Sequence, residues 1–235
     1  MIPDFIKPVI VPIHREGYPF IAIFAVIAVL AGAFIGETAF WICFVLTAWC
    51  VYFFRNPERF TPTTPGLVIS PADGMVQSVV RADPPAELKA DGRPMVRISV
   101  FMNVFDVHVN RIPINGRIIR SDYRPGKFLN ASLDKASIDN ERQSVLMEAA
   151  NGTPVAFVQI AGLVARRILC DLDDGQEVQA GERFGMIRFG SRVDVFVPEE
   201  TPVLVSPGQR AVAGETVLAD MTGEPTKGRR HASKR

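Results

Sequence analysis

The sequence is short of surplus charge: 26 Lys and Arg stand against 25 Asp and Glu, a formal net charge of +1 over 235 residues. A chain that binds nucleic acid normally carries a basic excess, so that class is excluded and no nucleic-acid partner is expected. Cysteine is scarce. Cys43, Cys50 and Cys170 are too few and too scattered for a disulfide framework, and they lack the paired spacing of a zinc site, so no metal is expected. Histidine is limited to His14, His108 and His231. There is no glycine period, and 48% of residues are apolar, which excludes collagen-like and disordered chains.

The apolar residues are concentrated near the N-terminus. Residues 18–35 and 38–54 carry no charge, and only Gly36 and Glu37 separate the two runs. At 1.5 Å per residue a helix of roughly 18 residues reaches about 27 Å, close to the thickness of a hydrocarbon core. Two helices joined so tightly must run antiparallel, so a transmembrane helical hairpin is expected over 18–54. Lys7 and Arg15 precede it, Arg55 and Arg59 follow it, and the turn has no Lys or Arg. Positive flanks mark the cytoplasmic side, which places the rest of the chain on the cytoplasmic face of the cell (inner) membrane. A cleaved signal peptide fits poorly, because a second apolar run follows at once without a small-residue cleavage site. A buried helical hairpin in a soluble core is the competing reading.

The remainder reads as strands. Residues 1–17 form an N-terminal segment, 55–66 a Pro/Thr-rich linker, 67–224 the main domain and 225–235 a basic tail with Lys227, Arg229, Arg230, Lys234 and Arg235. Short β-type runs are expected at 67–70, 75–80, 96–101 and 116–120, with a Pro/Gly loop over 82–94. Residues 144–149 and 154–160 flank Asn151-Gly152, a dipeptide suited to a tight hairpin. One short helix is expected over 132–140. The pattern G-Q-x-x-x-A-G-E begins at Gly175 and recurs at Gly208. Two such units suggest a mainly β (α+β) domain, a pseudo-symmetric sandwich or barrel with few short helices. The same layout resembles biotinyl and lipoyl carrier domains, for which Lys135 would be the attachment site.

Three stretches hold chemistry-bearing residues. His108 sits in Phe105-Asp106-Val107-His108-Val109-Asn110-Arg111, a local density of polar groups that burial would leave in need of partners. Ser70-Pro71-Ala72-Asp73-Gly74 places a carboxylate in a turn between strands. Phe189-Gly190-Ser191-Arg192 places a hydroxyl after a glycine inside an apolar strand pattern, where glycine often marks close approach or strain. A serine hydrolase built from Ser191, His108 and Asp73 is conceivable, but the G-x-S-x-G elbow is missing.

Taken in order, Arg55-Asn56-Pro57-Glu58-Arg59, Ser70 to Gly74, Phe105 to Pro113, Asn140-Glu141-Arg142 and Phe189 to Arg192 resemble the phosphatidylserine decarboxylases, closest to the short, pyruvoyl-dependent bacterial and archaeal type. The resemblance covers essentially the whole chain. It implies a proenzyme that cuts itself between Gly190 and Ser191 into a β chain, 1–190, and an α chain, 191–235, which stay together as a heterodimer and can assemble further. It also implies that Ser191 becomes a covalent pyruvoyl group, the cofactor, which takes the amine of phosphatidylserine as a Schiff base. CO2 leaves and phosphatidylethanolamine is the product, with His108 as proton donor. The partners implied are this lipid and the membrane that carries it.

One position departs from the longer family members. Their second histidine, three residues after the first, joins an aspartate and the serine in a triad for self-cleavage, and Arg111 stands there in this chain. Asp73 matches the aspartate, but arginine stays protonated and is a poor base. Either Asp73 acts alone or through water, or His108 serves both steps. Arg111 is expected to bind the lipid phosphate or carboxylate instead, with Asn110 as a second substrate contact.

Overall fold

A computed structural model describes residues 11–88, 90, 92–132, 139–162, 167–188 and 190–222. The centre of the helix expected over 132–140, Lys135, Phe189 and the tail 225–235 lie outside the described residues. The chain divides into two units, Met1–Glu58 and Arg59–Arg235. The second is mainly β.

In the first unit, α1 (Tyr18–Phe34) and α2 (Glu37–Phe53) are joined at Gly36, whose φ of +128° few other residues adopt. Pro19 sits in the first turn of α1, where its missing N–H is harmless. The Phe20 ring stacks on Phe54 with centroids 5.5 Å apart, and a Cβ on Gly32 would meet Phe40 at 3.1 Å. The start of α1 thus lies beside the end of α2, and the two run antiparallel. With the turn before α1, the helical stretch Arg15–Phe34 has 20 residues and holds an 18-residue window of mean hydropathy 2.2, long and apolar enough to cross a membrane. The helix α2 is apolar but shorter, at 17 residues. Val29, Phe34, Ile42 and Val45 are exposed, an outer surface unlike the polar face of a helix in water.

The second unit contains β1 (Leu67–Ile69), β2 (Gly74–Arg81), β3 (Met95–Met102), β4 (Val109–Arg111), β5 (Gly116–Arg124), β6 (Arg142–Ala149), β7 (Pro154–Ala161), β8 (Ile168–Cys170), β9 (Glu177–Val178), β10 (Arg183–Ile187), β11 (Ser191–Pro198), β12 (Arg210–Ala211) and β13 (Val217–Asp220). An 8-stranded sheet runs β12-β2-β3-β11-β7-β6-β5-β9, and the smaller sheets are β4-β10-β8 and β1-β13. β11 is central, paired antiparallel with β3 along its whole length and with β7 from Ser191 to Phe196. Both faces of the large sheet are covered. Val100, Val145, Phe157, Val193 and Val195 enter the main core, while Met95, Val158, Ile160 and Phe196 pack under Leu88 on the other side. Burial on both faces explains the near-continuous apolar runs of β7 and β11. Full burial of a side chain such as Phe157 contributes about 2 to 3 kcal/mol.

β6 and β7 pair through the turn holding Asn151 and Gly152, with Gly152 at φ +78°. At the two G-Q-x-x-x-A-G-E segments the same hydrogen bonds recur. Gly175 N–H donates to Ile118 O and Gly208 N–H to Val76 O, both at lengths of 2.7 to 2.8 Å. Ile118 N–H returns a bond to Gln176 O, and Val76 N–H to Gln209 O. The segments thereby supply β9 and β12, the two edges of the large sheet.

The strand β4 was not anticipated, because its three residues alternate Val, Asn and Arg inside a polar motif. Within the loop expected over 82–94, the described residues include a short helical turn. A 3-10 turn at Ala86–Leu88 buries Glu87, whose carboxylate accepts from Arg142 Nε at 2.6 Å and Ser144 Oγ at 2.9 Å. Burial by itself would raise the Glu87 pKa, but the hydrogen bonds from Arg142, its own backbone and Ser144, with the attraction of Arg142, outweigh it and hold it at about 2.

A carboxylate held below its unfolded pKa adds stability above that value and loses it as pH falls through the folded pKa. Glu87 should therefore contribute on the order of 3 kcal/mol at pH 7. This should fade between about pH 4.5 and pH 2. Urea unfolding of the wild type and Glu87→Gln across this range should show the difference at neutral pH closing in acid. A gap that does not depend on pH would refute it.

Candidate active site

Ser191 opens β11 and is fully buried. The residue before it, Gly190, has φ +71°, a left-handed conformation that a side chain would oppose. Gly190 N–H donates to His108 Nε2 at 3.2 Å, and His108 Nδ1 lies 3.0 Å from Asp106 O. A neutral imidazole satisfies both bonds only with its proton on Nδ1. The Nε2 lone pair therefore faces the Gly190 N–H. Asp106 holds the turn that carries the histidine: its carboxylate accepts from Asn103 N–H at 2.9 Å and pairs with Arg210.

Three more buried side chains, Met102, Asn110 and Gln159, link up from Ser191. Ser191 Oγ is 4.0 Å from Met102 Sδ, and Asn110 Nδ2 approaches that sulfur at 3.7 Å. Asn110 Oδ1 accepts from Gln159 Nε2 at 2.9 Å, and Gln159 is itself buried, its Oε1 having no hydrogen-bond partner among the described residues. The register explains the grouping. Ser191 lies opposite Met102 on β3 and Ala161 on β7, and Gln159, two residues before Ala161, shares its face.

Asp73 and Arg111 belong to a neighbouring cluster. Arg59 Nη2 donates to both Asp73 oxygens, at 2.9 and 3.2 Å, and Ala213 N–H donates to Asp73 Oδ1 at 2.8 Å. Arg111, buried, donates from Nη1 to Gly181 O at 2.7 Å. Burial pulls its pKa down to about 10, helped by the charges of Arg183 and Arg59 and opposed by Asp73 and Glu215. Asn110 and Arg111 are neighbours on β4 and so point to opposite sides. The clusters meet at Pro71 O, which accepts from Arg111 N–H at 2.9 Å and from Asn110 Nδ2 at 3.5 Å. Asp73 precedes β2, and β3 separates β2 from β11, so its backbone stands about 10 Å from that of Ser191.

The structure thus brings Gly190, Ser191, His108 and Asn110 together, and sets Asp73 with Arg111 beside them. Met102 and Gln159 escaped sequence reasoning. A lone Gln in the apolar run of β7 was the one available signal. Arg59 stood in a quoted motif, but its bond to Asp73 required the fold. A comparison within the chain clarifies Asp73. Asn115 Oδ1 accepts from Ala180 N–H at 2.7 Å, the same bond made at the other A-G-E segment by a neutral side chain. The turn needs the oxygen, while the charge of Asp73 answers Arg59 and Arg111. Among the described residues no group of His, Cys, Asp or Glu could hold a metal ion.

Comparison with known proteins places the chain among the carboxy-lyases. The family model described as phosphatidylserine decarboxylase matches residues 46–219. The phosphatidylserine decarboxylase proenzyme of Rickettsia bellii (strain OSU 85-389) is 59% identical over 214 residues, 91% of this chain and 92% of that protein. That of Rickettsia akari (strain Hartford) is 61% identical over 208 residues, 88% and 90% of the two chains. The proenzyme of Paramagnetospirillum magneticum (strain ATCC 700264 / AMB-1) is 60% identical over 219 residues, 93% and 90%. The chain belongs to the phosphatidylserine decarboxylase family.

The two jobs of Asp73 can be separated. Asp73→Asn keeps an acceptor for Ala213 N–H, whereas Asp73→Ala loses it, so the alanine variant should be about 1 to 2 kcal/mol less stable than the asparagine variant. Urea midpoints measure this, and coincident midpoints would deny the backbone bond any weight.

Proposed function

We propose that this phosphatidylserine decarboxylase is made as a precursor that cuts itself at Gly190-Ser191 and then converts phosphatidylserine to phosphatidylethanolamine. The observation that supports this most is the junction: a buried serine at the start of a central strand, preceded by a glycine at φ +71°, with His108 Nε2 3.2 Å from the glycine nitrogen. A backbone so constrained favours exchange of the peptide for an ester. The Ser191 hydroxyl adds to the Gly190 carbonyl, and the amide nitrogen leaves as the Ser191 amine. Elimination across Cα and Cβ of Ser191 releases the Gly190 carboxylate. Water then replaces the nitrogen, which departs as ammonia, and a pyruvoyl group heads the chain 191–235.

The residues present fit that group, since Ser191 is its own precursor and is fully buried. The pyruvoyl group supplies a ketone conjugated with an amide, an acceptor for the electron pair left when CO2 departs. His108 is the side chain best placed to take the hydroxyl proton during cleavage and later to return a proton at the substrate Cα. Asp73 serves through the charge it shares with Arg59 and Arg111, or through water. Asn110, which shares the Met102 sulfur with Ser191, contacts the substrate there. Arg59, Arg111 and Arg183 outnumber Asp73 and Glu215, and this cationic excess suits the phosphate or carboxylate of the lipid.

The chains 1–190 and 191–235 remain paired, because β11 keeps β3 and β7 as neighbours after the cut. The apolar helices α1 and α2 enter the inner membrane as a hairpin, with Lys7, Arg15, Arg55 and Arg59 on the cytoplasmic side where the second unit works. The G-Q-x-x-x-A-G-E segments form a pseudo-repeat that closes the sheet at both edges.

On a denaturing gel the wild type should run as two pieces and Ser191→Ala as one, and borohydride with amine should trap a carbonyl only in the wild type. Conversion of the lipid by an uncut chain without such a carbonyl would refute the reading. Arg111→Gln should raise KM for phosphatidylserine by about tenfold, the worth of one charge-assisted contact, with cutting preserved. An unchanged KM would take Arg111 out of substrate binding.

A further inference from the structure

Within the second unit, three of the most exposed apolar side chains gather at the end of the sheet where Ser191 lies. Phe60 is 90% exposed, Phe105 60% and Met75 53%. Phe105 occupies the turn that follows β3, two residues after Asn103, and Val104 of that turn lies nearest to where a Gly190 Cβ would stand, at 4.0 Å. Met75 follows Gly74 on β2 and pairs with Phe101 and Arg210. Phe60 N–H donates to Glu215 Oε1, on the segment whose Ala213 holds Asp73. Arg210, opposite Met75, has a side chain that is 61% exposed and pairs with Asp106, and Arg183, opposite Arg111 on β10, is exposed too.

The substrate itself constrains this end. Ser191 and His108 are fully buried, so a headgroup must reach them through the surface around Gly190. Lifting a diacyl lipid clear of the bilayer would cost about 0.8 kcal/mol per exposed CH2, prohibitive for two long chains. The site must therefore work with the acyl chains still in the membrane. Aromatic and apolar tips interleaved with arginine are the side chains that settle at the headgroup boundary of an anionic bilayer.

We propose that the Ser191 end of the β unit is a membrane-docking surface, in which Phe60, Met75 and Phe105 enter the lipid interface and Arg183 and Arg210 meet anionic headgroups. This rests on the decarboxylase reading above. It assigns to these side chains a part in delivering substrate that is separate from chemistry and from the apolar helices.

The test compares one enzyme on two physical forms of its substrate. The full chain, wild type and Phe60→Ser/Phe105→Ser, is assayed for CO2 release from mixed phosphatidylserine and phosphatidylglycerol vesicles, and from dihexanoyl phosphatidylserine dispersed as monomers. A denaturing gel reports self-cleavage in parallel. The double variant should be cut like the wild type, lose about tenfold in kcat/KM on vesicles and stay within about twofold on the monomeric lipid. Phe60→Leu/Phe105→Leu should recover the vesicle activity. Equal activity on vesicles would overturn the proposal. Equal loss on both substrates would also overturn it, by placing these residues in the pocket or in a contact between copies of the chain. If Phe105→Ser blocks cutting, Phe60→Ser alone carries the comparison by the same criteria. A wild type that is cut yet releases no CO2 from either lipid would sink the decarboxylase reading instead.

Discussion

The arrangement of the site depends on one constraint: a serine is pinned at the first position of a strand hydrogen-bonded on both sides. β11 cannot shift without breaking its ladders to β3 and β7, so Ser191 stays opposite Met102 and Ala161. Immediately before it, Gly190 adopts a left-handed conformation. A rigid strand and a turned glycine therefore meet at one peptide bond. A histidine ring held from its far side by Asp106 O lies on the nitrogen of that glycine. Such a junction suits the proposed self-cleavage, in which both new ends would be kept in place.

The second organising feature is electrostatic. The two A-G-E segments build the same turn and each demands a side-chain oxygen, supplied by Asn115 in one case and Asp73 in the other. Only the second brings a charge, which Arg59 answers directly, while Arg111 reaches the first as well, its Nη1 donating to Gly181 O. A negative group in a buried turn needs such partners, and the burial that costs Arg111 part of its basicity is tolerable because Asp73 and Glu215 stand near. This ties the first residues after Glu58 to the site, so what reads as a plain linker contributes Arg59 to it.

Much of the architecture was legible in the sequence because it rests on local signals. The apolar runs, the Asn151-Gly152 turn and the strands β1 to β3 and β5 to β7 follow from periodicity and turn chemistry. Among the elements that escaped, β4 and the turn at Ala86–Leu88 are short pieces whose order comes from distant partners: Arg183 to Met186 for the one, Arg142 and Ser144 for the other. Propensity carries no record of such partners. For the same reason Met102 and Gln159 gave no sign of their place beside Ser191.

The sequence by itself determined which chemistry is available, since a Gly-Ser pair, a single histidine in a polar motif and an aspartate turn are properties of residue type and order. It also determined where apolar surface must be hidden from water. Only the tertiary structure decided that His108 rather than Asp73 lies against the junction, and that Asn110 and Arg111, adjacent in the chain, face different clusters. Those outcomes come from strand register and pleat, which depend on pairings between residues far apart in the chain, such as Ser191 with Met102 and Arg183 with Arg111.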